Sequence, residues 1–266
     1  MKAHGFTLIE MIMAMVILGV ISGMVAIFIA RPIEGYVDSA NRAELTDMAD
    51  IALKRMALEI RTALPNSVRV GAGNDYVEFI PATGGGRYCS DTDACTNQLS
   101  HFGAGASATV SFDVLGPPPM VSNGDQIIIY NTGQTSLDAY ANGSNCAAAT
   151  VVDADTLQIT DAPFPFASPS KRFFVAPSSG PVRFSCSGNQ LLRVVSSPPV
   201  LPATTVFCGL TPTSSSSMLL QATSVSCNFQ YSNVSAANGL LTLRLTLGNA
   251  GGTVTLMQQI HADNLP

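Results

Sequence analysis

The chain has 266 residues, of which 47% are hydrophobic and only 12% charged, and its net charge is -5. That is enough for one large domain or two small ones, at about half the charged fraction of an ordinary soluble protein. No Lys/Arg cluster is present, so the electrostatic footprint of a nucleic-acid binder is missing and no nucleic-acid partner is expected.

The first element is apolar. Residues 11–30 (MIMAMVILGVISGMVAIFIA) carry no charge. As a helix rising ~1.5 Å per residue, such a run crosses a hydrocarbon core of ~30 Å. An ordinary secretory signal has a basic stretch, a shorter apolar core and a small-residue cleavage site after it. Here Lys2 is the firm charge before the run, which closes on Ala30-Arg31-Pro32 with no A-x-A site. Glu10 sits at the edge of the run. A charge costs roughly 2.5–3.5 kcal/mol at the centre of a membrane helix and less near the interface, so Glu10 is either an idle interfacial residue or a functional one. Gly19 and Gly23 stand four apart. That spacing lets membrane helices approach closely, but it also arises from ordinary glycine usage in such helices. Lys2 favours a cytoplasmic N-terminus and Arg31 opposes it.

Gly5-Phe6-Thr7-Leu8-Ile9-Glu10, followed by this run, resembles the signal of type IV prepilins and type II secretion pseudopilins. The resemblance implies that residues 1–5 are a leader. A prepilin peptidase/methylase would cut between Gly5 and Phe6 and N-methylate Phe6. Glu10 would then meet the positive N-terminus of a neighbouring subunit during assembly. Opposite charges buried together offset desolvation costs that each would bear alone. The implied partners are other major and minor pilins and an inner-membrane assembly platform. The implied location is the inner membrane, single-pass with the head in the periplasm, and later the pilus and cell surface.

The helical pattern continues past the apolar run. Residues 36–64 hold no Pro or Gly, and Leu45, Met48, Ala49, Ala52, Met56, Ile60 and Ala63 recur at helical spacing. Asp38/Arg42 and Asp50/Lys54 are i,i+4 pairs with the acid first. Pro65-Asn66 ends the pattern, while Pro32 and Gly35 should kink or loosen it. A helix over 6–64, membrane-spanning at 11–30, would be roughly 88 Å long. That is far more than a bilayer needs, so its second half must pack on something. The resemblance implies the sheet of a head domain.

Beyond Pro65 the period changes to two. Strands are expected at 76–80, 108–115, 126–130, 156–160, 172–176, 182–186, 191–195, 225–231, 240–247 and 253–260, with a turn at Ser187-Gly188-Asn189. Gly84-Gly85-Gly86, Pro117-Pro118-Pro119, Pro198-Pro199 and residues 214–217 read as breakers. The expected class is α+β and pilin-like: a long N-terminal transmembrane/amphipathic helix on an antiparallel β-rich head at 65–266, which splits near residue 165.

Cys89, Cys95, Cys146, Cys186, Cys208 and Cys227 all follow the apolar run, and none forms C-x-x-C. They read as a disulfide set outside the cytoplasm, with 15 pairings open. The simplest arrangement closes one polar loop with Cys89–Cys95 and the Ser-rich loop with Cys208–Cys227, leaving Cys146–Cys186.

Motifs for chemistry are missing. Among His4, His101 and His261 no nucleophile elbow, Walker loop, H-E-x-x-H or complete G-x-G-x-x-G appears. No catalytic residue, cofactor or metal is therefore expected, and the chain does not read as an enzyme. Asp91/Asp93 and Asp153/Asp155 are D-x-D pairs without the full calcium-loop pattern, and read as turn aspartates. Phe28–Tyr36 (FIARPIEGY), the helix after it and the tail Val254–Pro266 are similar to minor pilins of MSHA-type pili. This similarity implies a role in filament initiation or at the tip. A minor pseudopilin of type II secretion is the nearest rival. A tip-borne adhesin or ligand-binding module is the alternative of another class.

Overall fold

A computed structural model describes residues 7–100, 102, 109–134, 137–140, 145–160, 164–195, 207–209, 215–235 and 237–266. Helix α1 runs Leu8–Arg61, 54 residues, and continues through Pro32. At the usual rise it is about 81 Å long. Pro32 has no N–H, so the Phe28 carbonyl loses its helical donor there. The Thr62 N–H reaches back to the Glu59 and Ile60 carbonyls. The Leu64 N–H then donates to the Ile80 carbonyl at 2.8 Å, so the helix stops short of Leu64.

The strands follow in chain order. β1 (Arg69–Val70) and β2 (Tyr76–Phe79) form a hairpin. β3 (Gly84–Tyr88), β4 (Val110–Leu115), β5 (Gln126–Ile128), β6 (Cys146–Val151), β7 (Thr156–Thr160) and β8 (Arg172–Ala176) close into a barrel in the order β3-β4-β7-β6-β5-β8. β9 (Val182–Ser187) and β10 (Gln190–Val195) form the hairpin expected around Ser187-Gly188-Asn189, with Gly188 at φ +58°. β11 (Ser215–Gln221) completes a sheet ordered β1-β2-β9-β10-β11. β12 (Ser224–Asn233), β13 (Asn238–Asn249) and β14 (Gly252–Asp263) form a second antiparallel sheet. The molecule is thus α+β, a long apolar helix with an antiparallel β-rich head.

β2 pairs directly with β9, from Tyr76↔Ser185 to Phe79↔Val182. The barrel is therefore nested inside the first sheet, leaving after Phe79 and returning at Val182. A split near residue 165 misplaces this boundary: local pattern marks strands but not which distant strand rejoins which. Two separate cores result. One joins Leu45, Ala49, Met56 and Ile60 of α1 to Phe184, Phe229, Leu243 and Leu245 of the two sheets. The other fills the barrel around Tyr88, Phe112, Ile159 and Phe173. Leu64, Ile80, Ile128, Tyr140 and Phe207 pack in the seam between them.

Four strands escaped the sequence pattern: β1, β3, β6 and β11. The three glycines at the start of β3 look like a breaker, yet their bareness is what places them in the barrel wall. A Cβ on Gly84 would stand 2.8 Å from Pro119 Cβ, and one on Gly85 would stand 2.8 Å from the Phe173 carbonyl oxygen. The serines of β11 also look like a breaker. They lie at a sheet edge, where β10 supplies their ladder from Val195↔Ser215 to Gln190↔Gln221.

Candidate assembly segment

Gly5 and Phe6 lie outside the described residues, as do His4 and His101. The described chain opens at Thr7, the N-cap of α1. The Glu10 N–H donates to Thr7 Oγ1 at 3.4 Å, and Glu10 Oε2 accepts from the Thr7 N–H at 3.4 Å and from its hydroxyl at 3.3 Å. This is a reciprocal capping box, which satisfies two of the donors a helix N-terminus leaves free. A carboxylate in the first turn also complements the positive end of the helix dipole. The T-x-x-E spacing before an apolar run signals this role in the sequence, and weighing Glu10 only as an idle interfacial or an assembly residue overlooked it.

From Leu8 to Phe28 every described side chain is exposed. The most apolar 18-residue window of α1 has none of its residues buried inside the molecule. A Cβ added at Gly19 or Gly23 would meet nothing within 4 Å. The small-residue pair therefore lies on open surface that no described part of the head covers.

The second half of α1 is held in place. Met56 and Ile60 are 1% and 0% exposed, and the helix lies against β11, β13 and β14. Arg193 Nε bonds Glu59 Oε2 at 2.7 Å, tying the helix to β10. The Asp50–Lys54 pair forms at 2.7 Å. No Asp38–Arg42 ion pair forms among the described residues. Instead the Arg42 guanidinium lies beside Gly252, within 4 Å of where a Cβ would stand. The β13–β14 turn comes up against that part of the helix.

Three disulfides staple the head: Cys89–Cys95, Cys146–Cys208 and Cys186–Cys227. The arrangement with Cys146–Cys186 and Cys208–Cys227 is corrected. Cys186 on β9 faces Cys227 on β12 with Cα atoms 5.7 Å apart, so that bond links the two sheets. Cys208 meets Cys146 at the start of β6 and ties its segment to the seam. Bracketing the nearest loop is a rule about chain distance, and stacked sheets override it.

The four aspartates of the two pairs lie in turns or bends. Asp93 Oδ2 accepts from Lys171 Nζ at 2.8 Å, and from the Ser90 N–H and hydroxyl at 3.0 and 2.8 Å. The Lys171 bond, then the Ser90 bonds, hold its carboxyl at about 2. Among the described residues no three His, Cys, Asp or Glu side chains come together as a metal site. Across β2 and β9, Arg183 Nε and Nη2 grip Glu78 Oε2 at 3.1 and 2.7 Å, with the guanidinium over the Tyr76 ring at 4.4 Å. Burial pushes the Glu78 carboxyl upward, against the pull of Arg183.

Residues 1–26 match the family model described as the prokaryotic N-terminal methylation motif. No curated protein and no solved structure matches the chain.

Proposed function

We propose that the chain is a minor pilin of an MSHA-like type IV pilus, acting in filament initiation or at the tip. The methylation-motif match supports the coarser statement, a type IV prepilin-like protein of the pilin or pseudopilin kind. On the finer reading, residues 1–5 leave as a leader, a prepilin peptidase/methylase cuts at Gly5-Phe6, and Phe6 becomes N-methylated. The segment 11–30 holds the subunit in the inner membrane, with residues 65–266 as a periplasmic head. The assembly platform then draws it out among other pilins.

The observation that carries this is the helix itself: one rod, sheathed by the head over Leu45–Ile60 and bare over Leu8–Phe28. Apolar surface on that scale needs lipid or other apolar helices around it. In the membrane Glu10 caps its own helix. In a filament its carboxylate would instead meet the new amino group of a neighbouring subunit, two charges that offset each other's burial.

Intact-mass spectrometry of the protein from its native membrane tests the reading. The expected mature chain starts at N-methylated Phe6, and replacing Gly5 by a bulky residue leaves the precursor uncut. A chain that keeps Met1, or one cut after Ala30, would overturn it.

A further inference from the structure

In the head, Arg69, Lys171, Arg183 and Arg193 each hold an ion pair. Arg87, Arg172 and Arg244 hold none among the described residues. Two of these three are brought together. Arg87 of β3 stands directly opposite Arg172 of β8, and both side chains are exposed on the outer face of the barrel. Like charges directly opposite on paired strands destabilise a sheet. In a chain of net charge -5, with carboxylates in excess, this pair is nevertheless left without an ionic partner among the described residues.

The next rung of the same face pairs Gly85 with Phe174. Gly85 contributes no side chain, so a hollow opens beside the Phe174 ring. Leu115 and Pro117 close its other side, and both arginines line it. The hollow holds about 410 Å³, within the roughly 300–1,000 Å³ of small-molecule sites. A Cβ on Gly85 would press on the Phe173 carbonyl oxygen, so bare backbone at that point is built into the wall. An adjoining hollow of about 280 Å³ shares Gly85, Arg172 and Phe174 and reaches Arg61 and Asp263. Arg61 and Asp263 bring opposite charges to that hollow, so the surplus of positive charge lies at the Arg87/Arg172 rung.

We infer that this groove binds an acidic saccharide. Its carboxylate lies between the Arg87 and Arg172 guanidiniums, and the apolar face of its ring lies on Phe174. Guanidinium forks match a carboxylate in shape and charge. The apolar half calls for a ring attached to that carboxylate, which inorganic phosphate lacks, and the adjoining hollow takes a second sugar unit. The inference stands independently of leader cleavage and filament assembly.

The experiment is calorimetric titration of the full chain in detergent micelles with trigalacturonate, a neutral galactose trimer and inorganic phosphate. Trigalacturonate should bind, with the neutral trimer and phosphate at least about tenfold weaker. Arg87→Ala and Arg172→Ala should each weaken it at least about tenfold, the loss of a charged hydrogen bond. Arg244→Ala should leave it unchanged. Because the two arginines repel each other in the free protein, each alanine variant should melt at or above the wild-type temperature. Absence of trigalacturonate binding, equal binding of the neutral trimer, or equal competition by phosphate would overturn the inference. So would binding lost only together with a lower melting temperature.

Discussion

The two ends of α1 are one continuous helix in opposite surroundings. Over Met11–Phe28 the side chains are uncharged and mostly apolar on every face, and every described one is exposed. Over Leu45–Ile60 most apolar residues keep to one stripe, which disappears against β11, β13 and β14. Ile51 and Leu58, off that stripe, stay 67% and 66% exposed. Backbone hydrogen bonding is satisfied within a helix in either medium. The side-chain pattern alone therefore tells a stretch that needs lipid or other helices all round from one that needs a sheet on one side.

The sharpest way to break the comparison is to place the same charge in each half. Ile60→Asp buries a carboxylate with no partner in the helix–sheet core, where Ile60 is 0% exposed. It should cost more than about 4 kcal/mol and abolish the cooperative thermal transition of the head. Ile17→Asp should leave that transition unmoved and instead reduce membrane retention, by roughly 2.5–3.5 kcal/mol of insertion energy. Melting both variants in detergent and fractionating both from cells separates the effects. An equal loss of head stability in the two would mean the halves are not independent.

A smaller effect probes the sheet that receives the helix. Arg183→Met strands Glu78 in its buried site and should cost about 3–5 kcal/mol at neutral pH. Burial already raises the Glu78 carboxyl, and losing Arg183 raises it further. A raised acid favours the folded state when protonated, so stability should return as pH falls below the new value and disappear as it rises. A melting temperature that does not depend on pH in this variant would show that Glu78 is relieved in some other way.

The smallest effect lies in the loop after β3, beside the barrel. Asp93 is held at about 2, below its ordinary 3.8, first by Lys171 and then by Ser90. A lowered acid stabilises its surroundings above the ordinary value and loses that contribution as pH falls through the lowered one. Hydrogen-exchange protection of the Ser90 amide should therefore fall between about pH 4 and about pH 2, relative to its intrinsic rate. The helix amides around Met56 should keep theirs over the same range. Unchanged protection at Ser90 would mean the disulfide Cys89–Cys95 holds the loop without the ion pair.

Much of the molecule follows from local pattern. The uncharged run at 11–30, the helical stripe from Leu45 to Ile60, the turn at Ser187-Gly188-Asn189 and the alternation over Leu241, Leu243, Leu245 and Leu247 are each decided by neighbours a few residues away. The T-x-x-E capping box belongs with them. What neighbours do not decide was settled only when distant chain met. Gly84-Gly85-Gly86 became a strand because Pro119 and Phe173 occupy the space that side chains would need. The serines of β11 became one because β10 offered an open edge. Cys186 chose Cys227, and Arg42 came to lie beside the β13–β14 turn, because packed sheets place groups together without regard to their separation along the chain. The Arg87/Arg172 pair, 85 positions apart in sequence, has the same origin: it exists only in the register of β3 on β8. Periodicity and capping are short-range and legible in sequence, whereas register, nesting and cross-links are set by whichever surfaces bury each other best.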